Sequence, residues 1–352
     1  MRTEYDIIIA GAGPAGLACA TLLSRNGWRV LLAEARTAAA PRPVETLCPR
    51  AVGEMKSIFQ CAEPPPEIAI PCNGVASMWE HDAAEPTVTD YRLLRSVPGL
   101  AVRRPLIEQW LAKSTGSLDL RIGWRFAGHV VRNGAAVARF ETAEGIVEAV
   151  AQKVIDATGR RISRRQVGTR QLAVWTNLPE VNLDIAGFLL VERTASGWWY
   201  LQAVPGGGAQ IVFVTATPMQ TKARVLSEEL ARRFLECVFL RKYVERIPRG
   251  IIAHATDARL VSMAANADEM RIPVGDAAGT TDPLAGRGWL RALTSAKALA
   301  AAVSHSLSAG DEEPIRAYLT ESVRAGDAHR MMLGRFHAMS PTIHKNHYEP
   351  SH

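Results

Sequence analysis

Cysteine is scarce in this chain. Five occur in 352 residues (Cys19, Cys48, Cys61, Cys72, Cys237), an odd number, scattered and never as CxxC. That excludes a disulfide framework and a zinc site built on paired cysteines, and it fits reduced thiols in a cytoplasm. Aromatic residues are few (6%), and no basic stretch interleaves with them as in a nucleic-acid-binding motif. Long apolar runs are missing too. The longest uncharged stretch, Ile7 to Ser24, carries Gly11, Gly13, Pro14 and Gly16 and lacks the even apolarity of a membrane span. Glu4 and Asp6 stand where a signal peptide carries positive charge. The net charge is mild, 41 − 35 = +6, and its basic residues are spread singly or in pairs such as Arg103-Arg104 and Arg160-Arg161. Such a balance suits anionic small molecules or an acidic partner surface. The expectation is a cytoplasmic protein with no membrane span, no nucleic-acid partner and no metal site, of two domains or one large nested one.

What is present begins at the N-terminus. Asp6-Ile7-Ile8-Ile9-Ala10 has the texture of a buried parallel strand. Gly11-Ala12-Gly13-Pro14-Ala15-Gly16 follows at once, then a helix-like stretch to Arg25 with Asn26-Gly27 as its stop. Trp28 to Ala33 reads as a second strand with Glu34 at its end. In this arrangement Gly11 allows the tight turn, Gly13 lets backbone approach a pyrophosphate, and Gly16 lets helix and strand pack closely. Pro14 suits the first helical turn, and the helix N-terminus offers N–H groups to phosphates. Glu34 lies 18 residues after Gly16, about where a carboxylate reaches a ribose hydroxyl. The unit as a whole predicts a bound adenine dinucleotide.

Two downstream segments choose among dinucleotides. Lys153 to Arg160 is a strand ending in Asp156-Ala157-Thr158-Gly159. Arg271 to Gly279 is a strand ending in Gly275-Asp276, followed by Asp282-Pro283-Leu284-Ala285-Gly286-Arg287-Gly288 and an alanine-rich helix from Trp289 to Leu307. With these three motifs in order, the chain resembles the group A flavoprotein monooxygenases of the p-hydroxybenzoate hydroxylase fold. It is closest in pattern to their tryptophan-halogenase-like branch, which includes maturases that hydroxylate a tryptophan in a partner peptide while a quinone cofactor is built. The resemblance implies an α/β fold: an FAD-binding Rossmann-type βαβ domain, an interleaved antiparallel-sheet substrate domain, and a C-terminal helical tail.

The resemblance also implies roles. Gly11, Gly13, Pro14, Ala15, Gly16, Glu34, Ala35 and Arg36 would hold the ADP half of FAD. Glu45 and Thr46, within Val44-Glu45-Thr46-Leu47, would lie on the loop passing the flavin. Arg104 would match an arginine at the start of a helix beside the cofactor, and Asp276 would bind the ribityl chain. Pro283, Gly286, Arg287 and Gly288 would place backbone N–H groups and a helix N-terminus near the ring, where they stabilise negative charge. Arg287 and Trp289 depart from the family pattern, where other polar residues and a small aliphatic are usual. Asp156 is open between a cofactor role and a strand-end cap.

Residues 172–254 have a different texture. Gln171–Trp175, Gly187–Glu192, Gly197–Val204 and Gln210–Thr215 read as strands, and Ser227–Tyr243 has helical spacing. The expected domains are 1–71, 96–171 and 255–310 for FAD binding, 72–95 as a substrate-side insertion, 172–254 for substrate, and 311–352 as helix and tail. Alternation along Gly197-Trp198-Trp199-Tyr200 puts Trp198 and Tyr200 on one face, as candidate substrate contacts or sheet packing, and leaves Trp199 exposed.

The implied activity is hydroxylation of an aromatic substrate, either a small molecule or a tryptophan in a peptide or protein partner. It would proceed through a flavin hydroperoxide, with NAD(P)H as transient reductant or a separate flavin reductase. No second Rossmann fingerprint is present, which agrees with transient nicotinamide binding. Halogenation fits poorly: the family's Trp-x-Trp-x-Ile-Pro segment is broken here, and no lysine lies between Lys56 and Lys113. The rival readings are a reductase of the geranylgeranyl-reductase type and a flavin-binding partner protein without catalysis. No general base stands out; His81 and His254 read as structural or solvated, and Cys48 as a buried thiol beside the flavin loop.

Overall fold

The computed structural model describes residues 4–38, 40–80, 84–95, 97–116, 118–161, 171–179, 181, 185, 187–220, 222–261, 270–281 and 286–338. Its centre is a five-stranded, fully parallel sheet of β1 (Ile7–Ala10), β2 (Val30–Glu34), β8 (Asp119–Ile122), β12 (Lys153–Asp156) and β18 (Arg271–Pro273), ordered β18-β12-β1-β2-β8. β1 is buried throughout because both its faces are covered, as in parallel sheets generally. Ile7 and Ile9 face a helical layer, whereas Ile8 and Ala10 face a β-meander. The helices are α1 (Pro14–Arg25), α2 (Pro49–Phe59), α4 (Arg104–Ser114), α6 (Gly288–Ala309) and α7 (Glu313–Ala338). The meander is β9 (Arg125–Arg132), β10 (Ala135–Thr142) and β11 (Gly145–Ala151).

A small antiparallel sheet joins this layer to the rest: β3 (Val44–Leu47), β4 (Ala69–Cys72) and β7 (Gly99–Arg103), ordered β3-β7-β4. Beyond it lies a seven-stranded sheet, β17-β13-β16-β15-β14-β5-β6. Its strands are β5 (Gly74–Met78), β6 (Thr87–Asp90), β13 (Leu172–Leu178), β14 (Phe188–Thr194), β15 (Gly197–Ala203), β16 (Ala209–Thr215) and β17 (His254–Asp257), with the short α3 (Tyr91–Arg95) after β6. β15 and β16 form a hairpin closed by Gly206, Gly207 and Gly208, all at positive φ (84°, 108° and 82°), a run only glycine adopts without strain.

Two expectations are corrected here. Trp199 is fully buried rather than exposed, because α5 (Ala223–Phe234) and the segment after it cover its face of the sheet. Its ring stacks on Phe213 at 4.2 Å and meets Phe234 edge-on at 5.4 Å. The helix expected over Ser227–Tyr243 starts earlier and ends at Phe234. Beyond it the buried Glu192 carboxylate draws the chain into a turn, accepting the N–H groups of Val238 (2.6 Å) and Leu240 (2.8 Å).

Candidate cofactor and substrate site

The carboxyl ends of β1, β12 and β18 bring the three sequence motifs together, where open α/β sheets bind ligands. Gly11 (φ +108°) passes so close to the Ala157 carbonyl that a Cβ would sit 2.4 Å from it. A Cβ on Gly16 would lie 1.9 Å from the Gly11 oxygen, so helix and turn touch there. Gly13 differs: a Cβ there would find nothing nearer than Arg104 and Glu108 at 3.9 Å. Gly13 is the N-cap of α1, no side chain caps that end, and Pro14 opens the first turn. The result is an open cradle whose N–H groups and helix dipole suit an anion.

Charged side chains line this cradle in a continuous chain. Glu34, ending β2, accepts the Ala12 N–H on Oε2 (2.9 Å). Its Oε1 takes the backbone N–H and Nε of Arg36, both at 2.9 Å. Burial works against its charge, but the Arg36 and Ala12 donors prevail and hold the carboxyl below its ordinary value. Ala35 and Arg36 follow half-buried, and Arg36 Nη2 reaches Glu108 at 3.5 Å. Arg104, the first residue of α4, bonds Glu108 (2.9 Å) and Glu45 of β3 (2.8 Å). Burial opposes the Arg104 charge, yet these two carboxylates raise its pKa above the ordinary value.

Arg42 completes the group, and the sequence offered no signal for it beyond its place between Pro41 and Pro43. Its Nε is buried without a hydrogen-bond partner, and burial together with Arg104 and Arg36 pushes its pKa down. Glu45 and Glu108 offset this only in part, and a pyrophosphate on the α1 N-terminus would supply a partner for the unmatched Nε. Glu108 was legible in principle, standing four residues after Arg104 on one helix face.

Beside α1, Gly275 (φ +60°) lies against its first turn, where its Cβ would be 2.8 Å from that of Ala15. Asp276 follows, partly exposed and ion-paired to Arg160 at 3.5 Å. Gly286 and Gly288 have open space where a Cβ would go, and Arg287 is an exposed N-cap of α6. Pro283 lies outside the described residues, as does His81. Asp156 is occupied structurally: Oδ1 accepts the Thr158 N–H (3.0 Å) and hydroxyl (2.6 Å), and Oδ2 meets Arg271. Trp289, buried at the start of α6, donates its indole N–H to Glu45 Oε2 at 2.6 Å.

The seven-stranded sheet turns one face toward β3. Trp198, Tyr200 and Gln202 alternate onto it from β15, with Val212 and Gln210 beside them on β16. Gln202 donates to the Val44 carbonyl (2.9 Å) and accepts from the Thr46 hydroxyl (2.9 Å). Gln210 accepts the Val44 N–H (2.8 Å). Thr46 therefore faces the sheet. Trp198 is buried, its indole N–H donating to the half-buried Tyr200 hydroxyl at 3.0 Å. Trp175 joins this face and stacks on His254 with centroids 4.5 Å apart. Trp175, Gln202 and Gln210 were not singled out from sequence, since cross-strand register brings them here; His254, read there as structural or solvated, stacks on Trp175.

Residues 4–57 match the family described as the FAD binding domain. Two curated proteins are similar over 88% of this chain. They are the digeranylgeranylglycerophospholipid reductases of Methanocella arvoryzae (23% identical, 80% of that protein covered) and Methanoculleus marisnigri (28%, 79%). Among solved structures, the flavin-dependent halogenase CmlS superposes with a TM-score of 0.77 at 19% identity over 94% of this chain, which spans 63% of the halogenase's length. The p-nitrophenol 4-monooxygenase PnpA of Pseudomonas putida DLL-E4 has a TM-score of 0.76 at 16% identity, covering 93% of this chain and 86% of that one. The peptidyl tryptophan dihydroxylase QhpG, essential for tryptophylquinone cofactor biogenesis, has 0.67 at 19%, covering 92% and 74%. At these identities the structural likenesses establish the fold. The fold is that of the FAD-binding flavoproteins, FAD is the cofactor, and the chain is a flavin-dependent oxidoreductase. Among the described residues no helix is long and apolar enough to cross a membrane.

Proposed function

We propose that this protein is an FAD-dependent monooxygenase that hydroxylates an aromatic substrate, a small molecule or a tryptophan in a peptide or protein partner. The observation carrying this reading is the aromatic sheet face of Trp175, Trp198, Tyr200 and His254. That face continues into the two glutamines that clamp the flavin strand β3. Planar indole and phenol rings on one face offer stacking to a planar substrate, and their bulk excludes water from it.

Bound FAD, reduced by NAD(P)H or through a separate flavin reductase, supplies the oxygen-activating chemistry. The chain holds and orients it. Gly11, Gly13, Pro14, Ala15 and Gly16 present backbone to the pyrophosphate, and Arg42 and Arg104 neutralise it. Glu34 offers its carboxylate to the ribose from a position fixed by Ala12 and Arg36. Asp276 would bind the ribityl chain, beside its ion pair with Arg160. Gly286, Arg287 and Gly288 lead into α6, whose dipole would favour negative charge at the ring.

A second reading, reduction of carbon–carbon double bonds in an isoprenoid lipid, draws on the two curated relatives. One experiment separates them. Purified protein is reduced anaerobically with NAD(P)H, followed by its visible spectrum, then either mixed with oxygen and candidate aromatics or kept anaerobic with an isoprenoid lipid. Hydroxylation predicts bleaching of the yellow flavin and oxygen-dependent formation of a product carrying one added oxygen atom. Saturation of an isoprenoid double bond under anaerobic conditions, with no oxygenated product, supports the second reading instead.

A further inference from the structure

The charged chain along the cofactor groove ends on an unusual partner. From the adenosine side it runs Ala12 N–H, Glu34, Arg36, Glu108, Arg104, Glu45, with donors and acceptors alternating at 2.8–3.5 Å. A further arginine would be the natural terminus for the second Glu45 oxygen. Instead the neutral indole of Trp289 donates to it at 2.6 Å. This residue stands where the resemblance leads one to expect a small aliphatic, and it is only 4% exposed. Its bond joins β3, which carries the flavin loop, to the first turn of α6.

We propose that Trp289 is a positioning residue for FAD: its indole N–H fixes Glu45, and through Glu45 it locks the flavin loop to α6 and holds Arg104 on the pyrophosphate side. Glu45 Oε1 is committed to Arg104, so its orientation depends on what holds Oε2. Without the indole N–H the carboxylate is free to turn toward the cations around it. Arg36, Arg42 and Arg104 crowd that cradle, and Arg42 already lacks a hydrogen-bond partner at Nε. A carboxylate that shifts among them competes with the cofactor's phosphates for the same guanidinium groups. Binding of FAD then costs the reordering that the indole otherwise makes unnecessary. A neutral donor orients Glu45 without adding a fourth cation to the groove.

The proposal rests on FAD occupying this groove. Its test is the dissociation constant of FAD from apoprotein, read by flavin fluorescence, for wild type, Trp289→Phe, Glu45→Gln and the double variant. Phenylalanine keeps the aromatic bulk and removes only the N–H. Loss of one hydrogen bond to a charged group predicts about tenfold weaker FAD binding for Trp289→Phe. In the Glu45→Gln background the same substitution is expected to cost markedly less, because the amide oxygen still accepts the indole N–H but no longer carries the charge that competes for the arginines. Far-UV circular dichroism checks that each variant folds; if Trp289→Phe does not, Glu45→Gln, which also removes the charge paired with Arg104, tests the anchored carboxylate itself, with at least a tenfold loss expected. Unchanged or tighter FAD binding by the single variants overturns the proposal, as does an equal penalty in both backgrounds. Wild-type apoprotein that takes up no FAD overturns the cofactor reading itself and the proposal with it.

Discussion

The Glu34 side chain shows how much a single carboxylate carries. Its oxygens hold the Ala12 N–H and the Arg36 guanidinium while it remains only 12% exposed. Replacement by glutamine puts an amide N–H among donors, so Glu34→Gln is expected to cost about 1–2 kcal/mol of stability near neutral pH. The pH dependence has a definite sign. The carboxyl titrates below its ordinary value of 4.5 when folded, so its contribution is present above that value and is lost as pH falls through the lowered one. Urea titrations of both proteins should therefore diverge at pH 7 and converge in acid; a constant gap would refute the linkage. Glu34 was legible in the sequence by its distance from the glycines. Arg42 was not, because its importance comes from the Arg36 and Arg104 side chains that folding places around it.

At the scale of the element, β15 shows where pattern reading stops. The alternation of Gly197-Trp198-Trp199-Tyr200 correctly separates Trp199 from its neighbours, because period-2 geometry is a backbone property. Which face meets solvent is a property of neighbours. Here α5 covers the Trp199 face, while on the opposite face Trp198 is buried and Tyr200 stays half-buried beside β3. Trp199→Ala should cost about 3–5 kcal/mol, the range for deleting a fully buried aromatic. Chemical denaturation measures it, and a loss below about 1 kcal/mol would contradict the packing described. The end of α5 teaches the same lesson. Its helical spacing runs on past Phe234, but Glu192, 46 residues before Val238, takes the N–H groups that turn the chain.

At the scale of the whole molecule, the C-terminal helices close the FAD-binding layer. Lys153, at the start of β12 and buried, pairs with Glu312 at 2.7 Å just before α7. Tyr318 donates its hydroxyl to the Pro273 carbonyl of β18 at 3.0 Å. These bonds pin α7 to the sheet whose carboxyl ends carry the glycine cradle. Lys153→Met leaves Glu312 without its cation, and about 2 kcal/mol should be lost, less than for a fully buried pair because Glu312 is 27% exposed. Thermal melting and faster proteolysis at the α6–α7 junction check this; an unchanged melt would mean that α7 docks through its apolar face alone.

The amino-acid sequence by itself determined the βαβ unit, the glycine turn, the acidic strand end and the Gly-Asp segment after β18. Each of these is local: a turn needing positive φ, a helix cap or a run buried on both faces is written in adjacent residues. Only the tertiary structure decided the rest. The aromatic face depends on the register of β13, β15, β16 and β17, and the unsatisfied Arg42 on three segments meeting. The Trp289–Glu45 bond spans 244 residues. The physical reason is that hydrogen bonds and ion pairs between distant segments form wherever packing brings their partners together, and spacing along the chain carries no record of that meeting.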